Sequence, residues 1–108
     1  MAALPQAIKN IVVNVPKIVH VGQRLPIQIV ANTDAGRAGK HLFIVDLMPV
    51  NSAPIPWYHR IVIAEAGVGE TFIPLAWNEI LGKYSLRVRD ILTGMQTTIP
   101  VALSSPES

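Results

Sequence analysis

Short apolar segments, roughly five to nine residues each, recur along the chain, and each is closed within a few residues by Gly, Pro, Asn or Asp. A strand crosses a sheet in about five or six residues, whereas a globular helix runs for about eleven or twelve. Segments this short and this regularly interrupted restrict the chain to β structure. Ile and Val fill most of them, and β-branched side chains suit a pleated, half-buried surface. At 108 residues the chain supports one core and one domain. The expectation is an all-β fold of two antiparallel sheets packed as a sandwich, with about seven strands and with 1–7 and 104–108 as frayed tails.

The first strand is expected from Ile8 to Val15, continuing after Pro16 from Lys17 to Val21. Pro lacks the ladder N–H, so this break suits an edge strand that changes sheets. Gly22 permits a turn. From Arg24 to Asn32, Leu25, Ile27, Ile29 and Ala31 alternate with Pro26, Gln28 and Val30, which defines one apolar face. Thr33 to Gly39 reads as a polar loop. In Lys40 to Met48, Phe43, Val45 and Leu47 oppose His41, Ile44 and Asp46, and Asp46 must point outward or find a partner. The prolines between Pro49 and Pro56 make that segment an exposed connection. Tyr58 to Ala64 resumes strand character, and its consecutive Ile61, Val62 and Ile63 require cover on both faces. Gly67 and Gly69 read as a turn, Glu70 to Ala76 as a strand, and Trp77 to Lys83 as a crossing with one helical turn at Asn78 to Ile80. In Tyr84 to Leu92, Tyr84, Leu86 and Val88 alternate with Ser85, Arg87 and Arg89, and Thr93 and Gly94 close a hairpin to Met95 to Leu103.

The run LAWNEILGKYSLRVRDILTG, from Leu75 to Gly94, resembles the late strands of bacterial immunoglobulin-like and fibronectin type III-like domains, in which a Gly shortly before a Tyr opens an alternating strand. Upstream, VGQRLPIQI (Val21 to Ile29) and HLFIVDLMPV (His41 to Val50) occur in the order seen in the sandwich repeats of bacterial macroglobulin-like proteins. The resemblance implies an immunoglobulin-like sandwich. It makes Tyr84, two residues after Gly82, the candidate for a tyrosine corner, a buried ring whose hydroxyl reaches a nearby backbone group. It also implies a non-catalytic module of a cell-surface or secreted protein, or a building block of an assembly.

Charged residues make up 15% of the chain, against about 25% in a typical soluble domain, so polar cover is sparse. Large apolar patches usually mark contact sites, and the expected partner is protein, either further copies of the chain or neighbouring domains. The candidate contact residues are Trp57, Tyr58, Ile61 and Ile63 beside the Pro49 to Pro56 connection, with Trp77 near the later crossing. Three uses of the aromatic residues stay open: packing, a protein anchor, or a platform for a sugar ring. The last would make the chain a carbohydrate-binding accessory module of a secreted enzyme, with a polysaccharide as partner. Lys83, Arg87 and Arg89 form a basic stripe that is either solvated or meets a carboxylate on the next strand or on a partner.

Catalytic chemistry finds little support. The seven acidic residues fall in different elements, so no local pair suggests acid–base work. His20, His41 and His59 lack metal-ligand spacing and read as solvated strand residues. Without cysteine there is neither a disulfide nor a thiolate site, and no cofactor is expected. The segments Gly36 to His41 and Gly67 to Gly69 lack phosphate-loop spacing and read as hairpin turns that use the positive φ open to Gly. A net charge of +2, with the basic residues scattered, argues against nucleic acid. No basic-then-apolar leader opens the chain and no apolar run of about 18 residues occurs, so neither a signal peptide nor a membrane span is expected.

Overall fold

The computed structural model describes residues 9–33, 36–37 and 39–105. The expected start of the first strand at Ile8, the leading tail 1–7 and the last three tail residues lie outside them. Nine strands are present among the described residues: β1 (Asn10–Asn14), β2 (Ile18–His20), β3 (Arg24–Thr33), β4 (Gly36–Arg37), β5 (His41–Pro49), β6 (Arg60–Ala64), β7 (Val68–Pro74), β8 (Gly82–Asp90) and β9 (Gln96–Ser104). In the four-stranded sheet, β1, β4 and β7 all pair with β3. The five-stranded sheet runs β2–β9–β8–β5–β6. The two pack face to face as an immunoglobulin-like sandwich, which is the all-β class the sequence predicts.

The break at Pro16 does what a proline in an edge strand should. β1 pairs with β3 in one sheet, and β2 then crosses to pair with β9 in the other. That second pairing is parallel, so the sandwich is not wholly antiparallel as expected. The count exceeds seven because this first strand divides in two and because β4 forms within the segment read as a loop, pairing Thr33 with Gly36.

The alternation of β3 places Leu25, Ile27, Ile29 and Ala31 inward, all 2% exposed or less, against Phe43, Val45 and Leu47 of β5 and Leu86 and Val88 of β8. Each such burial contributes roughly 1.5–3 kcal/mol at most. His41 has the same parity as Phe43 and so lies on the inner face, not on the opposite one as predicted.

Local turn chemistry corrects several boundaries. The β6–β7 hairpin turns on Ala66 and Gly67, both at positive φ, with Glu65 and Val68 exchanging backbone hydrogen bonds at 3.0 Å. Gly69 does not belong to that turn. It lies inside β7, and a Cβ there would sit 2.8 Å from Val62 Cγ1, so it is a close-packing glycine. Gly39 likewise lacks a positive φ, and Gly36 sits in β4. A 3-10 turn at Pro56–Tyr58 takes Tyr58 out of the strand expected to begin there, and β6 begins only at Arg60. No helical turn forms at Asn78 to Ile80; the chain instead turns at Trp77 and Asn78, closed by Glu79 N–H to Ala76 O.

At the other end, β8 stops at Asp90 because its carboxylate builds the next turn. Oδ1 accepts from Leu92 N–H at 3.2 Å and Oδ2 from Thr93 Oγ1 at 2.7 Å, and Gly94 adopts φ +77°. Ile91 and Leu92, expected in the strand, are therefore exposed loop residues. Ser104, expected in the tail, closes β9 and accepts Val21 N–H.

Candidate interaction surface

The register gathers three connections at one end of the sandwich. Arg24 lies opposite Pro74, Pro49 opposite Tyr84 and Gly82 opposite Leu103. The turn 21–23, the connection 50–59 and the crossing 75–81 therefore emerge together. Gly22 N–H to Leu75 O at 3.1 Å and Val21 N–H to Ser104 O at 3.0 Å tie the two sheets at this end.

Tyr58 joins two of these connections from inside. It is 2% exposed, its Oη accepts Ala76 N–H at 3.0 Å and donates to Glu79 Oε2 at 2.7 Å. Burial, with Glu79 close by, holds the phenol above its ordinary value of 10.0 although the Ala76 hydrogen bond opposes the shift. Tyr58 is thus a core residue, which corrects its reading as a contact residue. Its burial follows from Pro56 at the head of the 3-10 turn, which sends Tyr58 inward and leaves Trp57 outward. The Trp57 ring meets Tyr58 edge-on at 6.1 Å between centroids.

Trp57 is 67% exposed and Trp77 is 80% exposed, and the Tyr58 bridge brings their connections to the same end. Ile80 and Leu81 on the crossing, at 78% and 51%, and Val50 at 46% extend the apolar surface. Val50 also borders a groove of about 450 Å³ between Lys17 and Lys83, floored by Ile99, Pro100 and Ala102. Tyr84 holds the crossing in place: its ring is 2% exposed and its hydroxyl donates to Ile80 O at 2.7 Å. Burial and then Glu79 raise its phenol as well. Gly82 opens β8 at φ +135°, a conformation that side chains rarely adopt.

Ile61 and Ile63 lie elsewhere, on the outer face of the edge strand β6, at 61% and 57% exposure. Nothing in the described chain supplies the outer cover that their sequence pattern requires. Opposite them on β5 stand Ile44 and Leu42, and Leu92 completes a groove of about 260 Å³ with Lys40, His41, Leu42 and Ile63. Contrast the outer face of the four-stranded sheet. There Asn32 donates to Asn10, Asn14 to Gln28 and Gln28 to Glu70, and Arg24 lies 4.6 Å over the Phe72 ring. That face sets polar ladders around the exposed Val12 and Phe72.

Polar pairings that the sequence concealed form across strands. Asp46, 7% exposed, accepts His59 Nδ1–H at 2.8 Å and Arg87 at 3.0 Å. Burial pushes its pKa up, but His59 and Arg87 outweigh that and hold the carboxyl below 3.8. Arg87 of the basic stripe thus meets a carboxylate on the next strand. His41 is 3% exposed rather than solvated, and its Nδ1 lies 3.3 Å from Asp90 Oδ2 without hydrogen-bonding alignment. His20 Nδ1 bonds Ser104 Oγ at 2.8 Å, but no carboxylate accompanies it among the described residues, so the orienting third member of a nucleophilic triad is missing. No group of three His, Asp or Glu side chains capable of holding a metal occurs among the described residues, and none of the described helices is long and apolar enough to cross a membrane.

The architecture defines the fold: an immunoglobulin-like sandwich. Among solved structures, a Salmonella alpha-2-macroglobulin variant superposes with a TM-score of 0.76 at 12% identity, over 96% of this chain and 7% of that one. Two structures of β-glucosidase from Listeria innocua, with laminaribiose and with isofagomine, give TM-scores of 0.56 and 0.53 at 15% and 17% identity, over 89% and 87% of this chain and 16% of each of theirs. At such identities the likeness is one of fold. No family model matches the sequence, and no curated protein does.

Proposed function

We propose that this chain is a non-catalytic domain of a larger protein, and that it packs against a neighbouring domain through the end formed by Trp57 and Trp77. The observation that carries the reading is the exposure of both indoles at the same end, on connections anchored by two buried tyrosines. A rigid, exposed aromatic pair on a fixed support is what a protein contact uses as an anchor. The same fold as a small fraction of a much longer chain, in a macroglobulin and in β-glucosidases, supports the role of a module among modules.

The test is acrylamide quenching of tryptophan fluorescence, in this chain alone and in the protein as its cells produce it. The expected result is ready quenching alone and strong protection in the native assembly, with protection halved by Trp57→Ala or Trp77→Ala at unchanged melting temperature. Equal quenching in both samples would refute the packing role.

A second reading, sugar binding, is favoured by the two exposed indoles together with the likeness to a β-glucosidase solved with laminaribiose. It predicts that laminaribiose or a longer β-glucan shifts the emission of the chain alone. No shift at any concentration leaves the packing role in sole possession.

A further inference from the structure

Among the described residues five strands lie at sheet edges, and four of them are blunted, β4 by being only two residues long. β1 carries Asn10 and Asn14 and runs into Pro16, β2 is only three residues long, and β7 carries Glu70 and ends at Pro74. β6 carries one charged residue, Arg60, at its first position and is otherwise unguarded. Its residues Arg60–Ala64 include no proline, and its outer face shows Ile61 and Ile63.

The backbone direction of β6 follows from its neighbour. Leu42 O accepts Ile91 N–H on the β8 side of β5, whereas Leu47 O accepts Ile55 N–H on the side of β6. Backbone groups alternate along a strand, so Leu42 and Ile44 point toward β8 and their partners Ile63 and Ile61 point away from β5. The N–H and C=O groups of Ile61 and Ile63 therefore face outward along the open edge.

The sequence around them is self-complementary in the antiparallel sense. With Val62 placed opposite Val62 of a second copy, Ile61 falls opposite Ile63 and both outward pairs exchange hydrogen bonds. The same register sets His59 opposite Glu65 at both ends of the pairing, while Arg60 falls opposite Ala64 on the other face. Within one chain, among the described residues, Glu65 has an exposed ion pair with Lys40 at 4.0 Å. Four isoleucines then line up on one face, beside Leu42, Ile44 and Leu92 of each copy.

From this geometry we infer that β6 is a homotypic docking edge, joining two copies of this chain about a twofold axis into one continuous sheet of ten strands. The arrangement is isologous and closes on itself, because each β6 edge is consumed by the other, and so it gives dimers and not fibres. It shares with the function proposed above only the premise that exposed apolar surface is contact surface, and it uses a different surface.

Light scattering after size exclusion, over a hundredfold concentration range, should show a mass twice 11.7 kDa at the upper end. Ile61→Lys and Ile63→Lys, each present twice in the dimer, should weaken association on the order of a hundredfold while far-UV circular dichroism stays unchanged. Trp57→Ala and Trp77→Ala should leave the dimer intact, so loss of the dimer in those variants would move the contact to the tryptophan end and overturn the inference. The chain has no cysteine, which makes the register readable by cross-linking. An equimolar mixture of Ile61→Cys and Ile63→Cys chains should oxidise to the mixed disulfide at least about fivefold faster than either chain alone, because residues directly opposite are closer than diagonal ones. A monomer at every concentration, a dimer indifferent to both lysine variants, or homodisulfides forming as fast as the mixed one would each refute it.

Discussion

Gly69→Ala adds one methyl group, and the structure says where it goes. The new Cβ would lie 2.8 Å from Val62 Cγ1 and 3.3 Å from both Ala64 Cα and Ala64 Cβ. Real Cβ atoms do not approach other carbons at 2.8 Å, so β6 and β7 must separate or Val62 must leave its rotamer. Neither is cheap: valine is stiff at χ1, and Ala64 Cα is backbone. Overpacking of this kind costs about 1–3 kcal/mol, against which the loss of glycine freedom in the unfolded chain returns about 0.4–1 kcal/mol. A net loss of about 1.5 kcal/mol is expected, or roughly 6 °C in melting temperature for a domain of this size. Val62→Ala alone should cost about 2 kcal/mol as a core truncation. Combined, the two should cost about 1 kcal/mol less than their sum, because removing Cγ1 makes room for the new methyl. Urea unfolding followed by far-UV circular dichroism is the appropriate assay, since both tryptophans are already exposed and report folding weakly. Strict additivity, or a Gly69→Ala chain as stable as the parent, would refute the packing argument.

Two further predictions concern the polar groups. Tyr58→Phe removes both an acceptor for Ala76 N–H and a donor to Glu79, so it should cost about 2 kcal/mol, whereas Tyr84→Phe loses one bond to Ile80 O and should cost about 1 kcal/mol; thermal melts of the two variants side by side check the order. On pH, Asp46 has a folded pKa below its unfolded 3.8, so its contribution is complete above that value and is lost as pH falls through the folded one; urea midpoints from pH 6 to pH 2 should fall, and Asp46→Asn should flatten that limb. Tyr58 and Tyr84 are shifted the other way. Their contribution is complete below the unfolded value of 10.0 and is lost as pH rises through the folded ones, so alkaline unfolding should be blunted in Tyr58→Phe.

What the sequence disclosed was periodicity, and what it withheld was pairing across strands. The alternation in β3 and β8 fixed their inner faces residue by residue, and Pro16 marked the change of sheet, because these signals act within a few residues. Asp46 reads as an isolated acid until β5 is laid beside β8, where it meets Arg87, and until the loop before β6 returns His59 to it. Tyr58 reads as exposed because it adjoins three prolines, yet a 3-10 turn rotates it inward by one residue relative to Trp57. Asp90 offered a usable local sign: an Asp three residues before a Thr-Gly pair is a turn builder, and it ends β8 two residues before the apolar run does. Gly69 offered none, since its reason is the side chain of a neighbouring strand.

The sparse polar cover noted in the sequence is not spread evenly, and its distribution decides what it means. Were it a general economy of charge, both outer faces of the sandwich would share it. The four-stranded sheet turns to solvent a ladder of Asn, Gln and Glu hydrogen bonds interrupted by Val12 and Phe72, while the larger exposed apolar side chains include Trp57, Trp77 and Ile80 at the tryptophan end and Ile61 and Ile63 along β6. Large exposed apolar patches usually mark contact sites, and the tryptophan end and the β6 edge are the two patches on which the proposed contacts rest. The two are geometrically independent, since the register puts Trp77 and Ile80 beyond the end of β8 whereas Ile61 and Ile63 flank β5 along its length. With the two proposed contacts on separate surfaces, loss of either by mutation should leave the other at full strength.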